Sequence, residues 1–584
     1  MSNKVAELIS VMNRDSSAAW VANLWDKFNN QRREKIEEWK ELRNYVFATD
    51  TSTTSNSSLP WKNSTTLPKL CQIRDNLHSN YLQALFPNEN WLQWEAGTMD
   101  SSKKDKALVI EAYMANKCKK SRYREVVSKL LYDYIDYGNA FVTTSFENRF
   151  KINLAKERVV DYVGPRAHRI SPMDIVFNPL APSFEDSFKI VRSVKTIGEL
   201  KVKAVMEPDQ AFWAKALDKR MELQSKAGGY SIEDFDKAVG FDVDGFGNYY
   251  EYLMSDYVEV LEFYGDYHDQ TTGMVYTNKL ITIVDRCTEV RNEDIPTYTG
   301  RAPIRHVGWR TRPDNLWAMG PLDNLVGMQY RIDHLENLKA DAADLIVHPP
   351  LKISGEVEEF TWGPGAEIHI DEQGDVSEVS KSLSGLIQAT NDIQLLEDKM
   401  ELYAGAPREA MGIRSPGEKT AFEVDSLMTA ASRIFQEKVS TFELMLLEPN
   451  LNDMLESAHR NMVKAESIGV LDTELDATIF MDITKDDLMG DGVIHPVGAR
   501  HFSEQARFVQ DMANLSNTTM FQYIQPHVSS KALAKALSEG LNVEKMGIFK
   551  ANVAIEEQLE QQRLMGQAQE QLMVEGQQRV PDEV

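Results

Sequence analysis

The chain has 584 residues and carries 89 acidic against 64 basic side chains, a formal net charge of −25. Acidity on this scale repels phosphate, so it excludes a protein that clings as a whole to nucleic acid or anionic lipid and leaves only local basic spots for such contacts. With 42% hydrophobic residues, 10 Trp and 23 Phe the composition is that of an ordered chain, and the length predicts roughly three to five packing units.

Met1 to Arg14 mixes Lys4, Glu7 and Arg14 into its apolar positions without a signal-like core, and no window approaches the ~18 apolar residues of a membrane helix. The expectation is a soluble chain made in a cytoplasm. Cys71, Cys118 and Cys287 are far apart and form no CxxC, which predicts buried or incidental thiols and not a disulfide framework or a cysteine zinc site.

From Trp20 to Val46 apolar residues recur at three- and four-residue steps, predicting an amphipathic helix interrupted near Asn29 and Asn30. The polar tract Thr49–Ser58 reads as a loop. A helical block at Leu67–Phe86, a Trp-rich turn around Trp91 and Trp94, and a third helical block at Lys104–Gly138 follow. Beyond Gly138 come short β-branched runs: Ala140–Phe146, Arg169-Ile170, Asp174–Phe177, Ile190–Val194, Asp256–Tyr264, Met274–Arg286 and Ile304–Trp309, with a helical insert at about Thr196–Ala227. Residues 139–312 thus predict an α+β unit within a mainly helical α+β chain.

After Gly320-Pro321, Leu325, Met328, Ile332, Leu335, Leu338, Ala342 and Leu345 form a narrow apolar seam, with Asp333, Asp341, Asp344 and other charges expected elsewhere on the surface. His348-Pro349-Pro350 stops this helix. A strand-and-turn module (Leu351–Ile353, Glu356–Trp362, Glu367–Ile370) leads to a second seam helix from Ser384, through Leu386, Ile393, Leu396, Met400 and Tyr403. A breaker-rich loop, Gly405–Gly417, precedes a very long helix from Lys419 to about Lys464, which Pro449 should kink near Leu446. A β-like segment at Ala477–Ile483, an acidic loop and helices from Ala499 complete the chain; the Gln- and Glu-rich tail, about Ile555–Gln578, reads as either an exposed helix or a poorly ordered one.

Motifs for chemistry are weak. Gly412-Ile-Arg-Ser-Pro-Gly417-Glu-Lys419-Thr420 differs from a phosphate-binding loop by one inserted Glu, and it follows a helix where that loop needs a buried strand. Gly245-Phe-Gly247 reads as a turn. Asp482, Asp486, Asp487 and Asp491 with His495 could hold Mg²⁺ or Ca²⁺, but a solvated loop with a helix or turn cap accounts for them better. Arg301, Arg305, Arg310 and Arg312 around Trp309 and Trp317 could contact phosphates and stack bases, against the favoured reading that they pair with the many acids. No catalytic residue, cofactor site or metal site is expected.

The order α+β body, helix, β module, helix, loop and long kinked helix resembles the portal (head-to-tail connector) family of tailed bacteriophages. The match rests on Glu418-Lys419-Thr420-Ala421-Phe422-Glu423-Val424, similar to the family's (K/R)-x-T-A-x-E-(V/I) after the tunnel loop. It rests also on Tyr137-Gly138-Asn139-Ala140, similar to the YG(N/T)A step, and on Pro172-Met173-Asp174-Ile175, similar to P-x-D-(I/V). Agreement spans about residues 20–465. The resemblance implies a wing over 1–319, stem helices over 320–346 and 384–404, and a clip over 347–383. A tunnel loop over 405–418, a long wing helix with a β segment over 419–498 and a helical crown over 499–584 complete the division.

It further implies a ring, commonly of twelve subunits, at one capsid vertex of a virion assembled in a bacterial cytoplasm, with a short-tailed phage the best match. The ring would pass double-stranded DNA during packaging and ejection, sit against the major capsid protein, and dock the terminase motor and then the head–tail adaptor. The stem seam (Leu325, Met328, Ile332, Leu335, Ile393, Met400) would serve helix packing, with Arg408, Arg414 and Lys419 as DNA contacts and Lys352, Glu356, Glu358, Trp362 and Glu367 as docking residues in the clip. Such a ring would carry about −300 charges, so duplex would slide without being gripped. The alternatives are a metal-dependent hydrolase using the cluster near Asp486, or another phage structural ring or adaptor.

Overall fold

The computed structural model describes residues 16–47, 63, 65–86, 91–96, 102–152, 158–206, 213–215, 217–218, 220–221, 256–269, 272–286, 288–347, 351–354, 375–378, 384–404, 434–463, 465–472, 477–488 and 492–497. Contacts divide the chain into two compact units, Met1–Gln83 with Leu92–Pro496, and Ala84–Trp91 with Val497–Val584. Of the second unit the structure describes a small cluster, in which Phe86 packs edge-on to Trp91 at 4.8 Å and the Val497 N–H donates to the Trp91 carbonyl at 2.8 Å. Two units stand where chain length predicts three to five, and one five-stranded sheet of the first carries a separate core on each face.

In chain order the first unit opens with helices α1 (Ser16–Gln31), α2 (Arg33–Val46) and α3 (Lys69–Leu85). The predicted interruption falls at Arg32, whose side chain turns inward to donate to Asn29 Oδ1 at 3.0 Å and to the Pro172 carbonyl at 2.6 Å. Leu92–Ala96 is a strand, β1, and not the expected turn. Leu92 and Trp94 are buried, and β1 pairs antiparallel with a strand some 400 residues away. The third helical block is two helices, α4 (Ser102–Lys120) and α5 (Tyr123–Asp136), separated at Ser121 and at Arg122, which takes φ +56°.

Strands β2 (Asn139–Ile152) and β3 (Arg158–Ile170), a 3-10 turn at Pro172–Asp174, β4 (Ile175–Phe177), β5 (Lys189–Thr196) and α6 (Ile197–Met206) follow. Next come β6 (Tyr257–His268), β7 (Val275–Val284), β8 (Thr288–Asp294), β9 (Ile304–Gly308), β10 (Arg310–Arg312) and β11 (Asn315–Met319). Five of these form an antiparallel sheet in the order β4-β5-β6-β7-β8, and a three-stranded sheet runs β3-β2-β9. Alternation along the strands sorts two cores. Ile190, Leu261, Phe263, Ile281 and Ile283 face Ala18, Val21 and Trp25 of α1, while Val258, Val260, Val284 and Val290 face Leu200, Trp213 and Leu217. A third core gathers Trp39, Phe141, Phe177, Phe184, Ile304 and Trp317.

A 3-10 turn at Asp323–Leu325 leads into α7 (Val326–Val347). Beyond it β12 (Leu351–Ser354) pairs antiparallel with β13 (Asp375–Glu378), and α8 (Ser384–Tyr403) packs against α7. Residues 434–442 are helical, Glu443–Leu447 form one π-helical turn in which the Glu448 N–H reaches the Glu443 carbonyl, and α9 spans Glu448–Asn461. Pro449 has no N–H for the regular ladder, and the helix widens where the sequence predicts its kink. The predicted helix ends at Asn461. The β14 strand (Glu466–Asp472), absent from the expectation, pairs with the expected β15 (Ala477–Ile483), and β16 (Gly492–Pro496) is the partner of β1. Helix, strand and sheet thus coexist in one mixed α and β architecture.

Candidate functional site

The helix pair α7/α8 and its anchorage to the α+β body are the most informative region. Of the predicted seam, Ile332 and Met400 are fully buried, Leu325, Leu335 and Ile393 are buried and Met328 is half-buried. The seam therefore closes largely within one chain. It opens toward the end of α7, where Leu338, Ala342 and Leu345 are only half-buried.

Asp333 and Asp341, expected on the surface, are buried. They belong with Gln329 and Asn337 to a polar stripe at four-residue spacing, all four buried. These side chains read the backbone of Asn63, Thr65, Leu67 and Leu70. Asp341 Oδ1 accepts from the Asn63 N–H at 3.0 Å, Asn337 Oδ1 from Thr65 at 2.7 Å, Asp333 Oδ1 from Leu67 at 2.9 Å and Gln329 Oε1 from Leu70 at 3.3 Å. Asn337 Nδ2 returns a bond to the Thr65 carbonyl at 3.2 Å, and Gln329 Nε2 returns one to the Leu67 carbonyl at 2.5 Å. For Asn63, Thr65 and Leu67 the register is geometric: four helical residues rise about 6 Å, and two extended residues span about 6.6 Å. Burial raises the Asp333 carboxyl above its ordinary value, opposed by bonds from Gln329 and Leu67. Polar residues at this spacing look like a solvated helix face, and only the uncharged Gln329 and Asn337 among the acids hint otherwise.

Beside this ladder, Lys69 Nζ meets Glu401 of α8 at 2.5 Å with both side chains buried. One ion pair so ties the start of α3 to the end of the second seam helix.

Two of the motifs that carry the portal resemblance, Tyr137–Ala140 and Pro172–Ile175, lie among the described residues and perform definite local work. Gly138 takes φ +69°, and a Cβ there would stand 2.3 Å from the Gly320 nitrogen, so glycine is required where the helix-to-strand step touches the approach to α7. Buried Asn139 donates to the Tyr137 carbonyl at 2.8 Å and the Ala318 carbonyl at 3.0 Å. Its Oδ1 accepts from the Ala318 N–H at 3.0 Å and from His306 Nε2 at 3.1 Å. His306 stacks on Phe141 at 4.6 Å, and burial lowers its pKa to about 3. The Pro172–Asp174 turn offers its carbonyls to Arg32 and the Asp174 carboxylate to Arg192 at 2.8 Å. A side chain in each motif welds two elements that are distant in sequence.

Among the basic and aromatic residues, the pairing expectation holds for three of the four arginines, Arg312 only through a 3.9 Å contact with exposed Asp314. Arg305 makes a bidentate pair with Asp453 of α9 at 2.8 Å and shares Glu185 with Arg301. Trp309 and Trp317 are buried in the cores and present no face for stacking a base. Arg310 and Arg312 are exposed on β10. Asp487 caps the turn after β15, its Oδ2 accepting from the Thr484 N–H at 2.9 Å and hydroxyl at 2.6 Å. His495 instead lies 3.0 Å from Glu448 and 3.4 Å from Glu95. Asp491 lies outside the described residues, and among those described no three or more His, Cys, Asp or Glu gather as a metal site. Cys71 and Cys118 are free thiols; Cys287 is outside.

Lys352 is exposed on β12. The remaining predicted clip residues Glu356, Glu358, Trp362 and Glu367 lie outside the described residues. So do Arg408, Arg414 and Lys419, the long-helix motif Thr420, Ala421, Glu423 and Val424, the segments containing Gly245-Phe-Gly247 and Gly412–Thr420, and all of 499–584. Among the described residues no helix is long and apolar enough to cross a membrane. No family model and no curated protein matches the chain.

Proposed function

We propose that this chain is the subunit of a portal-type ring, a structural channel for double-stranded DNA at a capsid vertex. The observation that carries the reading is a helix pair with two apolar faces. Ile393 and Met400 of α8 are buried inside the chain, while Ile387, Leu395 and Leu402 are 63%, 54% and 64% exposed. Separations of eight and seven residues place these three on one stripe. A stripe on one side of each subunit that packs against a different surface of the next is a heterologous contact, which builds a ring where the repeated rotation closes.

The sequence resemblance supplies the rest: the tunnel-loop cations Arg408, Arg414 and Lys419 contact passing DNA, and the β12/β13 module with its connection docks the motor and adaptor. The net charge of −25 suits a conduit, since a wall that displaces few counterions holds duplex weakly. Arg408→Ala, Arg414→Ala and Lys419→Ala together lower DNA retention in filled heads and leave ring assembly intact; unchanged retention counts against the assignment. Ile332 and Ile393 are buried within the chain and report on its own folding, so the assembly test belongs to the exposed stripe: Leu395→Lys with Leu402→Lys yields folded subunits that form no ring.

A further inference from the structure

We infer that the corner between α4 and α5 is a binding site for a phosphate group. From Lys117 to Arg124 the sequence reads Lys-Cys-Lys-Lys-Ser-Arg-Tyr-Arg, five cations in eight residues of a strongly acidic chain. This corner packs over the β2/β3 hairpin, and a cavity of about 440 Å³ opens between them. Lys120, Arg122, Arg149 and Arg166 line it, against the acids Glu125 and Asp161.

The cations are set in place. Arg122 is held at φ +56° at the N-terminus of α5, and its side chain caps no backbone group there, so the positive end of the helix dipole adds to the guanidinium. Arg166 gives Nη1 to Glu147 at 3.2 Å, while its Nε is buried with no hydrogen-bond partner among the described residues. A buried guanidinium N–H left unpaired is costly, and the Arg166 side chain as a whole is 21% exposed on the cavity wall. Among the described residues both rim acids make exposed pairs, Glu125 with Arg122 at 3.6 Å and Asp161 with Lys151 at 3.1 Å. Tetrahedral oxyanions fit a fork of several arginines better than carboxylates do, because each oxygen can accept from a separate N–H.

The phosphate can come from a nucleic-acid backbone or from free phosphate, and the site stands whether or not the chain forms a ring. The test uses the purified full chain, titrated with inorganic phosphate by calorimetry and with a duplex of about 20 base pairs by anisotropy at low salt. Lys120→Gln, Arg122→Gly and Arg149→Gln together weaken phosphate binding about tenfold. Glycine at 122 relaxes the positive φ, so the fold is kept. Glu125→Gln with Asp161→Asn strengthens binding severalfold, a gain that a merely structural cluster would not give. A parallel loss of duplex binding identifies nucleic acid as the source, and duplex binding that ignores these variants identifies free phosphate. Undetectable phosphate binding, or an affinity indifferent to both sets of variants, overturns the inference.

Discussion

Replacing Asn337 by Ala probes the polar ladder on α7. The side chain makes two bonds to one residue of the extended segment, accepting from the Thr65 N–H at 2.7 Å and donating to the Thr65 carbonyl at 3.2 Å. Each neutral bond is worth about 1 kcal/mol net, so their joint loss costs about 2 kcal/mol. In a chain of this size a global unfolding free energy is poorly defined, and local opening is the better observable. Amide hydrogen exchange at Thr65 and Leu67 should accelerate by about thirtyfold, since 1.4 kcal/mol is a factor of ten. Asp333→Asn serves as the control: an amide oxygen still accepts from Leu67, and a buried charge is removed, so protection at Leu67 should be kept. Unchanged exchange at Thr65 in Asn337→Ala would refute the idea that the ladder holds this segment.

Three further outcomes follow from the same geometry. Gly138→Ala sets a Cβ against the Gly320 backbone at a positive φ and should cost at least about 3 kcal/mol, read as loss of soluble chain; a soluble variant with native near-ultraviolet dichroism would contradict it. Lys69→Ala takes the ammonium away from buried Glu401 and should loosen the α3–α8 contact, whereas Lys69→Met with Glu401→Leu replaces the pair by apolar packing and recovers most of the loss; equal proteolysis rates for the two variants would count against a buried pair. His306 is held neutral when folded, with a pKa near 3, and titrates at its ordinary value when unfolded. The unfolded chain therefore takes up a proton that the folded chain refuses, and the stability this group contributes is full above pH about 6.5 and lost as pH falls toward 3, by at most about 1.4 kcal/mol per pH unit. His306→Gln should flatten that acid limb, and superimposable pH profiles would dismiss the effect.

Periodicity made much of the architecture readable. The seam of Ile332, Leu335, Ile393 and Met400 repeats at helical steps, and its burial follows from that pattern. Pro449 marks its own π-helical turn because a missing N–H acts locally. What stayed hidden depends on distant partners. Leu92–Ala96 reads as a Trp-rich turn until Ile494 arrives to cover Trp94 across the ladder. Asp333 and Asp341 read as solvated until residues 63–67 supply the N–H groups that let them be buried. Arg301 and Arg305 were legible as salt-bridge partners from charge balance alone, but Glu185 and Asp453 could be identified only in three dimensions. The motifs Tyr137–Ala140 and Pro172–Ile175 pointed to a family before they pointed to a cause; their cause is backbone crowding at Gly138 and the hydrogen bonds of Asn139 and Arg32.

The central claim is assembly around a channel, and negative-stain electron microscopy of the purified chain tests it most directly. Closed rings with a central hole of roughly 20–40 Å, wide enough for duplex, are expected, and they should disappear in Leu395→Lys with Leu402→Lys. A chain that stays monomeric at every concentration, or rings that persist unchanged in that variant, would contradict it.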